Sequence, residues 1–191
     1  MFNGKTFFVD SEPVPTKEFF TDACPVGGGG LFKGHWFYVN WATDYPSLEN
    51  VHINLQETFT ALLAIERWKE HLSDRWITVR TDDTTTLSAI NKGTSSDLRV
   101  MPWLRNLFWL LASYNFRVTA QYISTASNTM ADAISRLHDP AHSELCVTNL
   151  LSRSLDLDNI PCVRPHLSRN TFDALPLQVQ SMLRSSNLTP S

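Results

Sequence analysis

Apolar residues along this chain alternate between two spacings, and each change of spacing marks an element. From Leu55 to Leu72 the spacing is helical. Ala61, Ala64, Ile65 and Trp68 share one stripe, and Glu57 stands one turn before Ala61 on it. Asn54 is the expected N-cap of this helix. Trp76–Thr81, WITVRT, is a β-branched run that predicts a strand leading into Asp82 and Asp83. Upstream, Glu18–Ala23 predicts a short strand closed by Asp22, and Leu31–Trp41 predicts strands with a turn at Lys33-Gly34. Between them, Gly27–Gly30 is expected to be a break that permits unusual backbone angles or close approach by another chain. Downstream, Thr84–Asn91 predicts a short helix stopped by Gly93, and Val100–Tyr114 a helix with Pro102 in its first turn. Phe116–Ile123 then predicts a strand, and Ser127–Leu137 a helix containing Asp132. Strands followed by a strand–helix alternation predict an α/β layer fold with a mixed sheet.

After His138 the pattern fades. Pro140, Pro161, Pro165, Pro176 and Pro190 punctuate it, and only Phe172–Leu183 hints at a helix. The chain therefore divides into an N-terminal linker (1–15), a domain (16–138) and a largely irregular or helical C-terminal tail (139–191). With 42% hydrophobic and 11% aromatic residues among 191, the domain has enough material for a packed core. Trp36, Phe37, Trp41, Trp103, Phe108 and Trp109 are expected in that core rather than as base-stacking platforms. His52, just before the long helix, is expected to be a hydrogen-bonded packing residue rather than a ligand.

Charge changes the picture. The 16 Lys plus Arg against 19 Asp plus Glu leave none of the basic surplus usual in a free-standing nucleic-acid binder. Either the charges segregate onto faces or a neighbouring domain grips the nucleic acid. Cys24, Cys146 and Cys162 lack the spacing of a disulfide framework or a zinc site. The N-terminus has no signal-peptide pattern, and MPWLRNLFWLLASYNF is too short and polar to span a bilayer. An intracellular protein of cytoplasm or nucleus, with no membrane partner, is expected.

Four acids stand at element ends or on sheet-facing stripes: Asp22, Glu57, Asp82 and Asp132. Taken singly each has an ordinary use: a turn residue, a first-turn helix acid, a cap for the helix that follows, or a half-exposed helix acid. Together they pose a problem. Buried carboxylates are costly, and several brought together raise one another's pKa. Divalent cations relieve both effects, and hard oxygen ligands suit Mg²⁺ or Mn²⁺.

The blocks TDA at 21–23, HINLQE at 52–57, TDD at 81–83 and NTMADAISR at 128–136 resemble the ribonuclease H domain of retroelement reverse transcriptases. The nearest look-alike is the DIRS-type group, in which a tyrosine recombinase follows that domain. The resemblance spans about residues 18–138. It implies a ribonuclease H-like fold, with a mixed five-stranded sheet and helices on both faces. It assigns Asp22, Glu57, Asp82 and Asp132 as catalytic ligands of two Mg²⁺ or Mn²⁺ ions. In the two-metal scheme one ion activates water for in-line attack and the other stabilises the leaving 3′ oxygen. The implied activity is endonucleolytic hydrolysis of the RNA strand of RNA–DNA hybrids, giving a 5′ phosphate and a 3′ hydroxyl. Selection of the RNA strand would use its 2′-hydroxyls. Asn54 matches a family position that touches the hybrid, and Thr84 and Asn128 are further substrate-binding candidates. Reverse transcriptase and recombinase domains of the same polyprotein are the other implied partners, since RPHLSRNTFDALPLQVQSMLRSSNLTPS resembles a linker entering a recombinase.

Three features depart from the family. Asp83 stands where Asn is more usual, and is expected to cap the next helix. QYISTASN lacks the loop His of cellular and retroviral members, which predicts a slower enzyme with intact metal binding. No basic handle for the hybrid is visible. The alternatives are a catalytically weak or inactive ribonuclease H-like connector or nucleic-acid-binding module, and a related integrase or transposase nuclease. The second would lack a helix Glu paired with a fourth Asp in an N-x-x-x-A-D helix.

Overall fold

The computed structural model describes residues 19–142 and 167–185; the expected linker 1–15, and Cys146 and Cys162, lie outside the described residues. The chain order is β1 (Phe19–Ala23), β2 (Gly27–Phe32), β3 (His35–Asn40), α1 (Trp41–Asp44), α2 (Ile53–Leu72), β4 (Trp76–Thr81), α3 (Thr84–Lys92), α4 (Met101–Tyr114), β5 (Arg117–Tyr122), α5 (Thr129–Ser135), α6 (Arg169–Ala174) and α7 (Leu177–Ser185). The five strands form one mixed sheet in the order β3-β2-β1-β4-β5. β1, β2 and β3 pair antiparallel through tight connections, whereas β4 runs parallel to both β1 and β5. The expected α/β architecture is thus present, with helices on both faces.

Residue alternation along the strands builds two cores. Phe19, Phe32, Phe37, Ile77 and Val79 point to the face covered by α2, α3 and α4. Trp68 of α2 is the hub there, with the rings of Phe19, Phe32 and Phe37 at 5.2, 5.5 and 5.6 Å. Leu31, Trp36 and Tyr38 point to the other face, where they meet Ile134 and Leu137 from α5 and its C-terminal end.

Local chemistry sets the element boundaries. Lys33 (φ 48°) and Gly34 (φ 80°) are both left-handed, the geometry of a two-residue hairpin turn, as the Lys-Gly pair predicts. Asp83 caps α3 as expected, its Oδ2 accepting from Thr86 N at 2.7 Å, and Gly93 ends α3 with φ 65°. The long helix starts earlier than expected. Its cap is His52, whose Nδ1 accepts from Asn54 N at 3.2 Å, so Asn54 lies inside α2. His52 is hydrogen-bonded but exposed, not packed.

Three further expectations are corrected or sharpened. Gly27–Gly30 is not a break but most of β2, with no positive φ. Close approach explains its composition. A Cβ on Gly28 would collide with Thr60 of α2 and the Trp41 ring, and one on Gly29 with Ile134 of α5. The chain that approaches is its own. Second, within the expected irregular or helical C-terminal tail, residues 167–185 carry two helices that dock on the sheet. Leu167, Phe172, Leu175, Val179 and Leu183 are buried against the Leu31–Trp36–Tyr38 face. Asp44 fastens them, accepting from Ser168 Oγ at 2.7 Å and from Thr171 Oγ1. Third, Trp36, Phe37 and Trp41 are core and Trp103 packs at its edge, but Phe108 and Trp109 are 62% and 64% exposed on the outer side of α4. Among the described residues, no helix is long and apolar enough to cross a membrane.

Candidate metal centre

Sheet register brings the first two acids together. Phe20 of β1 pairs with Arg80 of parallel β4, so Asp22 and Asp82 stand two residues further along neighbouring strands, at the same sheet end. Glu57 enters from the first turns of α2, which packs across β1. Its Oε1 accepts the Ala23 backbone N–H at 3.0 Å, which draws the helix acid down onto the strand acid. One oxygen or more from each of Asp22, Glu57 and Asp82 lie within 4.8 Å of one another.

The fourth acid sits beside this group rather than within it. Asp132, on α5 across the sheet from α2, is close enough for its charge to act on Asp22. Its Oδ1 is held by Arg136 Nε at 2.8 Å, one turn along the same helix. The structure therefore unites three of the four predicted ligands and leaves the fourth adjacent, paired with a cation.

Burial decides the electrostatics. Asp22 is 4% and Glu57 6% exposed. Desolvation raises the Asp22 carboxyl to about 7, against a hydrogen bond from Ser135 Oγ at 2.6 Å and with added repulsion from Asp82 and Asp132. Desolvation raises Glu57 to about 9, with the Asp22 charge adding to it and the Ala23 N–H opposing. Glu57 Oε2 is buried and has no hydrogen-bond partner in the protein. An orphaned carboxylate oxygen facing two further carboxylates leaves an unsatisfied, negative, oxygen-rich site. The donor set fits a hard divalent cation, and Asp22, Glu57 and Asp82 are the residues that would hold it.

Three residues of this site are not among the candidates named from the sequence. Ser135 positions Asp22, Thr125 Oγ1 donates to Asp82 Oδ2 at 2.6 Å, and Arg136 holds Asp132. Ser135 and Arg136 lie within the NTMADAISR block, so their proximity to Asp132 was available; their geometry was not.

The substrate-binding candidates separate. Asn54 ties the start of α2 to the start of α3, its Nδ2 donating to Thr85 Oγ1 at 2.8 Å. Thr84 is exposed at the first turn of α3, next to that link. These two share a rim near Glu57. Asn128 does not join them. It is 1% exposed, and its Nδ2 donates to the Thr21 carbonyl at 3.0 Å, pinning the start of α5 to β1. In this conformation Asn128 is an internal tie between α5 and β1 rather than a group on that rim.

No protein-family model matches this chain, and no curated protein is significantly similar to it.

Proposed function

We propose that this chain is a ribonuclease H-type endonuclease, dependent on divalent metal, that hydrolyses the RNA strand of RNA–DNA hybrids as part of a retroelement polyprotein. The observation that carries this reading is the convergence of Asp22, Glu57 and Asp82 within 4.8 Å, from three elements and 60 positions of sequence. The four sequence blocks that resemble the ribonuclease H domain of DIRS-type reverse transcriptases contribute those acids in the order such a site requires. The mixed sheet with helices on both faces is the architecture that resemblance implies.

Two Mg²⁺ or Mn²⁺ ions at these carboxylates would supply a nucleophile at neutral pH and offset charge on the leaving oxygen. The chain's own residues prepare for this. Ser135 Oγ and the Ala23 N–H each occupy one oxygen of an inner acid. Glu57 keeps its second oxygen without a partner. Thr125 fixes the orientation of Asp82. Asn54 and Thr84 offer polar groups on the rim, where the minor groove of a hybrid presents 2′-hydroxyls. The segment Gln121–Asn128 has no imidazole to assist proton transfer, so turnover slower than in His-containing relatives is expected. With no basic surplus on the chain, hybrid grip falls to other segments of the polyprotein.

The test is cleavage of an end-labelled hybrid by the purified chain. Mg²⁺-dependent cutting of the RNA strand alone, ending in 3′ hydroxyls and abolished in Asp22→Asn, is expected. A well-folded chain that leaves the hybrid intact at every Mg²⁺ and Mn²⁺ concentration would refute the assignment.

A further inference from the structure

Arg136 pairs with Asp132, the acid beside the carboxylate cluster. Its Nε donates to Asp132 Oδ1 at 2.8 Å, and its charge also reaches Asp22 and Cys24. Yet the side chain is 42% exposed, while Asp132 is 28% exposed. The pair thus sits at the mouth of the cluster, with the guanidinium toward solvent on one side. A half-exposed ion pair of this kind is weak, and its members exchange partners readily. Asp132 has two possible partners: the guanidinium it already holds, and a divalent cation at the neighbouring acids. A divalent ion so near would also repel Arg136.

We propose that Arg136 is a metal-released phosphate clamp: it competes with divalent cation for Asp132 and, when displaced, turns its guanidinium to a backbone phosphate of the bound strand. This rests on the proposed nuclease reading and deepens it by naming a residue that couples ion loading to substrate grip. Guanidinium groups suit phosphate because their planar fork matches two oxygens at once. In a chain with so few cations to spare, one held in reserve at the scissile end has a defined use. Arg136 is a positioning and binding residue here, and no bond is made or broken by it.

The experiment compares wild type, Arg136→Gln and Arg136→Lys in two readouts. The first is Mn²⁺ binding to the protein alone, followed by loss of the free-ion electron paramagnetic resonance signal. Arg136→Gln removes the competitor, so Mn²⁺ should bind more tightly, by up to about five-fold for an exposed pair. Arg136→Lys should fall between. The second is hybrid binding by anisotropy across a salt series, with Ca²⁺ as the divalent ion and gel confirmation that the strand stays intact. Arg136→Gln should weaken binding and lower the salt slope by about one phosphate contact. Unchanged or weaker Mn²⁺ binding in Arg136→Gln overturns the competition. An unchanged salt slope overturns the clamp. If wild type itself binds no Mn²⁺, the nuclease reading fails first and the clamp with it. Circular dichroism of each variant separates these outcomes from misfolding.

Discussion

The four acids divide into an inner pair and an outer pair, and the two pairs are held by different physics. Asp22 and Glu57 are almost wholly enclosed, their carboxyls are pushed up by burial, and one Glu57 oxygen has no protein partner. Asp82 and Asp132 are part-exposed, and each is satisfied by a neighbouring side chain, Thr125 or Arg136. Identical chemistry a few ångströms apart thus divides into acids that need a proton or a cation and acids that the protein itself can satisfy. The inner pair carries the cost of the site. The outer pair carries its connections to loop and helix.

The largest expected effect tests the inner pair directly. Glu57→Gln removes a metal ligand, and several kcal/mol of transition-state stabilisation lost corresponds to about a thousand-fold in hybrid cleavage. The same change removes a carboxyl that must take up a proton to be buried at neutral pH, so the melting temperature in chelator should rise. A drop in melting temperature, measured by circular dichroism, would show that burial is not what strains Glu57.

The next effect is on stability against pH. Folding raises the inner carboxyls above their unfolded values, Asp22 to about 7 and Glu57 to about 9. The folded chain therefore holds more protons than the unfolded one between those limits, and the associated stability is complete below about pH 4. It is lost as pH rises through about 7 and then about 9. Thermal melts in chelator should fall steadily from about pH 5 to pH 9, and saturating Mg²⁺ should flatten the decline by binding only the folded site. A decline that Mg²⁺ leaves untouched would detach the inner pair from metal.

The smallest effect belongs to the outer pair. Thr125→Val deletes the hydrogen bond to Asp82. Hybrid cleavage should drop by up to about ten-fold, with the pH profile of stability unmoved. A loss as deep as that of Glu57→Gln would erase the distinction between the pairs.

The acids were legible because each sits where spacing changes: at a strand end, in a helix's first turns, or within the last helix of the domain. Their convergence was legible only through a four-block resemblance, since periodicity does not state strand order. β1 ends at Ala23 and β4 begins at Trp76, with 52 residues between them (24–75), and nothing local says that they are adjacent in the sheet. The docked helices α6 and α7 were unreadable for a similar reason. Phe172, Val179 and Leu183 find their partners on β2 and β3, far upstream, and Pro176 splits what looked like one weak helix into two. The exposure of Phe108 and Trp109 shows the converse: apolar residues on every side of α4 give no indication of which side the core will take. His52 takes the cap because its imidazole nitrogen accepts the Asn54 backbone N–H, which places Asn54 inside the first turn.

The four glycines that open β2 have a consequence for how this molecule tolerates change. Gly29 stands opposite Asp22 in the sheet, and the space a methyl group would fill there belongs to Ile134, one residue from Ser135. The depth at which α5 seats on the sheet is therefore gauged by atoms that are missing. A Gly29→Ala change, which adds neither charge nor polarity, would lift α5 like a shim under a bearing. The acids at the sheet end would lose their alignment without one of them having been altered.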